Sequence, residues 1–122
     1  MAGLTNAESA ATLDARFPTT GGTDYVAYSA NGTSETGSLA RTSVGATGWA
    51  SATVADPSVK ANASGLTTAA ASGAVTVSHF AIFSASTGGT QRTDWTALGA
   101  SKALGIGDTA TWAAGALKVT LT

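Results

Sequence analysis

The chain of 122 residues has no cysteine, so neither a disulfide nor a thiolate metal site is available to it. Charge is scarce too: 11% of residues are Asp, Glu, Lys or Arg, against about 25% in an ordinary domain. The six Lys and Arg residues are scattered singly, which excludes the basic stripe of a nucleic-acid face. No run approaches the ~20 apolar residues that a membrane helix needs. The N-terminus shows no basic-then-apolar secretory signal. With one histidine, His79, a metal site would rest on oxygen ligands, and Asp24, Glu35, Asp56, Asp94 and Asp108 are too widely spaced for a calcium loop. Phosphate-loop and nucleophile-elbow spacings are missing as well. These residues predict no enzyme, no cofactor and no metal, with neither nucleic acid nor membrane as partner.

Ala, Ser and Thr dominate what is there, with 15 glycines among them. Disorder pairs low hydrophobicity with high net charge, whereas this chain carries −1 and its apolar residues fall in patterned runs. An ordered domain is expected. Its weakly charged surface suits a subunit packed against neighbours better than a free monomer.

Residues 1–18 read as an N-terminal helix or arm, and 19–122 as a single β-domain. Thr5 and Glu8 have capping-box spacing, Leu4 is placed as a staple, and Pro18 ends the helix after Phe17. Leu13 and Phe17, four apart, share a face that must dock on something. Beyond "TTGG" the pattern turns to short β-like runs: "DYVAYSA", "LARTSVG" and "GWASATV", with an Asn-Gly turn at 31–32. Residues 55–73 read as a long loop with a weak strand inside it. "AVTVSHFAIFSA" alternates, with Val75, Val77, His79 and Ala81 on one face and Thr76, Ser78, Phe80 and Ile82 on the other. "STGGT" and Gly107-Asp108 read as turns. "ALKVTLT" sets Leu117, Val119 and Leu121 inward against Lys118, Thr120 and Thr122. Short strands between frequent turns predict an all-β fold: an antiparallel sandwich or barrel-like domain with a short N-terminal helix.

As a general base, His79 would need a nucleophile and an orienting carboxylate. Asp94 is the available acid, while strand alternation sets Ser78 on the opposite face. The pattern favours a core or interface histidine. Among the aromatics, Trp95 and Trp112 sit in strand-like runs. Trp49, after a glycine, reads as an exposed contact. The interface candidates are Leu4, Leu13, Phe17, Trp49 and His79.

Residues 75–89 ("VTVSHFAIFSASTGG"), 107–109 ("GDT") and 113–121 ("AAGALKVTL") resemble a group of small virion proteins from tailed phages of actinobacteria. Residues 39–54 are similar to the middle of some members. Members often have Gly where this chain has Ala81, and an aromatic where it has Gly73-Ala74. The resemblance implies a virion structural protein and brings no catalytic set with it. Without shaft or repeats, a head-decoration role is expected: a homotrimer on the capsid surface that binds the major capsid protein and bridges capsomers. The alternative is a tail, baseplate or tail-fibre component that contacts host surface glycan through Trp49, Tyr25 and Tyr28.

Overall fold

The computed structural model describes residues 4–121. Residues 1–3 of the expected arm, and the outward position expected for Thr122, lie outside the described residues. The elements are α1 (Asn6–Arg16), β1 (Tyr25–Ser29), β2 (Thr42–Ser43), β3 (Ser58–Ala61), β4 (Leu66–Thr67), β5 (Val75–Phe83), β6 (Thr96–Leu104), β7 (Thr111–Trp112) and β8 (Lys118–Leu121). Every paired strand is antiparallel, and no barrel closes among the described residues. The all-β expectation with one short helix holds.

Contacts divide the chain into two compact units. One comprises Met1–Gly22, Val44–Gly65 and Ala113–Thr122; the other comprises Thr23–Ser43 and Leu66–Trp112. In the first unit, Thr5 caps α1 by accepting from the Glu8 N–H at 3.2 Å. A hydrophobic staple also needs an apolar residue at the fourth helical position, and that residue is Ser9. Leu4 therefore stays 56% exposed. Leu13 and Phe17 are buried, and the Phe17 ring lies 5.4 Å from Trp49 at 58°.

β3 pairs with β8, with Lys60 opposite Val119. β8 alternates as expected, continuing from the fully buried Leu117. β3 inverts the usual rule: Ser58 and Lys60 are buried, while Val59 and Ala61 are partly exposed. The Lys60 ammonium meets Asp14 of α1 at 2.5 Å, and Ser58 Oγ donates to the Thr53 carbonyl at 2.6 Å. Asn62 closes this unit. Its amide donates to the Ser64 and Ala113 carbonyls, and its Oδ1 accepts from the Leu117 N–H.

The second unit is a four-stranded sheet in the order β2-β1-β5-β6, with the β4–β7 pair as a second layer. Val26, Tyr28, Phe80 and Ile82 are all buried, and their register places them on one face of the sheet. Trp112 of β7 stacks on Tyr28 at 5.0 Å and 10°. Side chains of this kind contribute about 1.5–3 kcal/mol each on burial, so this layer carries much of the unit's stability.

Two sequence readings are corrected. Residues 55–73 hold two strands, β3 and β4, because a buried lysine hides the alternation of β3, and β4 is only two residues long. "GWASATV" forms no strand of its own. Trp49 makes an isolated bridge with Asn62, and Ala50 and Thr53 donate to the Ala61 and Val59 carbonyls.

Candidate functional site

His79 sits mid-strand, opposite Ser29 of β1 and Ala97 of β6. The β5–β6 register shifts between Val77 and His79: β6 runs from Lys102 to Ala97 while β5 advances two residues. Such a bulge breaks side-chain alternation. Val77 and Phe80 are both buried, with half-buried Ser78 and His79 between them. Ser78 Oγ and His79 Nδ1 consequently share a hydrogen bond of 2.7 Å, contrary to the opposite-face reading of the sequence. The other side of the ring packs on Gly32, where a Cβ would lie 2.9 Å from Nε2. That glycine has φ +76 and follows Asn31, in a turn whose Gly32 N–H donates to Ser29 Oγ at 2.9 Å. Asp94 is exposed and forms no hydrogen bond or ion pair with His79. Among the described residues no carboxylate orients the serine–histidine pair, and an orienting group is the third member that a nucleophile–base pair relies on. Among the described residues no group of three or more His, Asp and Glu could hold a metal ion.

The aromatic contacts expected for a glycan need correction. Trp49 is 2% exposed and Tyr28 is 0% exposed, so neither ring is presented to a ligand. Tyr28 donates its hydroxyl to Thr42 Oγ1 at 2.5 Å, and burial raises its phenol above the ordinary range. Leu13, Phe17 and Trp49 are buried in the core of the first unit. Of the interface candidates, Leu4 is exposed and His79 is half-buried.

Other rings do reach the surface. Antiparallel register sets Ser43, Tyr25, Phe83 and Gln91 side by side, so they form one row across the sheet with a common face. Tyr25 and Phe83 are half-buried, and Ser43 and Gln91 are exposed. Half-buried Trp95 lies 6.1 Å from the Phe83 ring at 51°. Arg41 sits 3.9 Å over that ring, a cation–π contact. Its guanidinium is fixed by both Glu35 oxygens and by the Ala85 and Gly88 carbonyls, each at 2.8 Å. The result is a preorganised patch of three rings with carboxylate, amide and hydroxyl groups beside it, chemistry suited to a polyhydroxylated ligand. Sequence reading missed Phe83, Gln91 and Trp95 as a group. The signal was the Thr-Gly-Gly turn, which folds Gln91 back opposite Phe83.

The family model for the podophage GP4 fiber I protein gp80 matches residues 4–120. The chain belongs to this family. Membership in the gp80 fiber I family makes it a phage structural protein of the virion. The family's fibre description agrees with the tail-fibre alternative better than with head decoration. No curated protein matches the chain.

Proposed function

We propose that this gp80-family chain is a tail-fibre subunit that contacts host surface glycan through the Tyr25–Phe83–Trp95 patch. It acts by binding and carries out no catalysis. The observation behind this reading is the half-exposed aromatic row, held rigid by Arg41, in a chain whose other large rings are buried. The Tyr25 and Trp95 rings stack on sugar C–H groups, Phe83 under Arg41 supports Trp95 from beside it, and Glu35, Gln91 and Ser43 supply hydroxyl partners. The test is glycan-array binding of the purified chain beside its Trp95→Ala and Phe83→Ala variants, with far-UV circular dichroism confirming the fold. Losing one stacking ring weakens binding about tenfold, equivalent to about 1.4 kcal/mol. Undiminished binding by both variants overturns the patch. Peptide mass spectrometry finding the chain with separated heads and not with tails overturns the tail assignment.

A further inference from the structure

At the end of β1 away from Tyr25, the chain leaves Ser29 and turns through Asn31 and Gly32. An Asn-Gly pair has a chemistry of its own. Glycine has no side chain to screen its backbone nitrogen, so that nitrogen can approach the Cγ of the preceding amide side chain. The chain has three asparagines; Asn6 and Asn62 each precede an alanine, and Asn31 alone precedes a glycine. The turn holds the reacting groups of Asn31 in place. Ser29 Oγ accepts from the Gly32 N–H at 2.9 Å and donates to Asn31 Oδ1 at 3.0 Å, so one fully buried hydroxyl touches both the nucleophile and the carbonyl oxygen. Oδ1 also accepts from the Thr33 N–H at 2.9 Å, and from Thr33 Oγ1 and the Ser34 N–H at 3.0 Å each. Four donors thus converge on the oxygen that gains charge when Cγ is attacked. The amide nitrogen Nδ2 donates to Ser34 Oγ at 3.3 Å, and Asn31 is exposed, so ammonia has a way out and water a way in.

We propose that Asn31 is a self-modification site: the folded turn promotes cyclisation of Asn31 onto the Gly32 nitrogen and converts the asparagine to aspartate or isoaspartate. The Gly32 nitrogen bonds to Asn31 Cγ, its proton passes to Ser29 Oγ, and the Ser29 proton passes to Oδ1. The tetrahedral centre then re-forms its carbonyl: the proton on Oδ1 moves to Nδ2, the Cγ–Nδ2 bond breaks, and ammonia leaves with the electron pair. Water adds to either carbonyl of the five-membered imide and opens it, to aspartate in one case and isoaspartate in the other. No oxidant or reductant is needed. The acceleration comes from preorganisation, because an unfolded chain has to find the same arrangement at the moment of reaction. The product carries one more negative charge beside the His79 ring, which packs on Gly32. In the isoaspartate form the main chain runs through the former side chain, so the packing of Gly32 on His79 changes as well. This turn lies at the opposite end of β1 from Tyr25, so its conversion does not depend on glycan binding at the aromatic row.

Peptide mass spectrometry of the purified chain during incubation at neutral pH tests the site, with isoaspartate read separately through an isoaspartyl methyltransferase. The folded chain is compared with the same chain unfolded in guanidinium chloride, and Asn6 and Asn62 serve as internal controls. Conversion at Asn31 is expected to be about tenfold faster, or more, in the folded chain, since one preorganised oxyanion donor alone can supply that much. Thr33→Val keeps the shape of an exposed residue, removes one donor to Oδ1 and slows folded conversion several-fold. Ser29→Ala removes the proton relay and brings the folded rate down to that of the unfolded chain. Far-UV circular dichroism checks both folds, and Thr33→Val carries the comparison if Ser29→Ala fails to fold. A folded rate at or below the unfolded one means that the turn protects Asn31, and it overturns the proposal. A folded rate that Thr33→Val leaves unchanged overturns it too.

Discussion

Replacing Asp14 with Asn leaves Lys60 as a buried ammonium without its counter-charge. The lysine side chain is 0% exposed and that of Asp14 is 42% exposed. Removing one partner of a fully buried pair costs about 3–5 kcal/mol, while exposed pairs are worth at most about 1 kcal/mol. Water reaches one side of this pair, so Asp14→Asn is expected to cost about 2 kcal/mol. For a chain of this size that lowers Tm by about 8 °C. Lys60→Met removes the buried charge and fills the same space with apolar atoms, so it stays within about 1 kcal/mol of the parent. pH supplies a second axis. The Lys60 ammonium, followed by the Ala52 N–H, bonds the Asp14 carboxylate and lowers its pKa below the ordinary value. On acidification the unfolded chain therefore takes up the proton first. The contribution is whole above about pH 5 and is lost as pH falls through the lowered folded value. Thermal unfolding followed by circular dichroism at neutral and acid pH gives both readouts. The reasoning is refuted if Lys60→Met costs as much as Asp14→Asn, or if the gap between parent and Asp14→Asn fails to narrow in acid.

Two further outcomes are expected. Gly32→Ala combines a positive φ with a Cβ 2.9 Å from His79 Nε2, so it destabilises by about 2 kcal/mol. His79→Ala in the same chain recovers part of that cost, and a double-mutant cycle from urea unfolding reads the coupling; independent effects would count against the contact. Asn62→Ala removes three hydrogen bonds, two part-buried and one buried, and strands the Leu117 N–H, costing about 3 kcal/mol in the same assay.

Local chemistry explains which parts of this fold were readable in advance. The Thr5 cap and the alternation of β8 are local patterns, and both appear where the residues place them. Trp49 misled because its burial depends on Phe17 and Asn62, and nothing beside it in the sequence marks those contacts. The bulge that unites Ser78 with His79 is set by the residues β6 inserts between Ala97 and Lys102, so β5 alone reads as an unbroken strand. Lys60 hid β3 because its charge is neutralised from a helix 46 residues away in sequence. The aromatic row was illegible for a related reason: it runs across strands, and only register brings its members together.

The interleaving of the two units has a consequence for how the molecule is made and cut. The first unit takes its last strand, Lys118–Leu121, after all of the second unit's sequence has passed, and the second is itself interrupted by Val44–Gly65. Neither unit is a contiguous segment, so no terminal truncation isolates one of them. During synthesis, β3 waits for β8 across more than fifty residues, which places this pairing among the slow, non-local steps of folding. A separable half of this protein would have to be built by rejoining the chain in a new order.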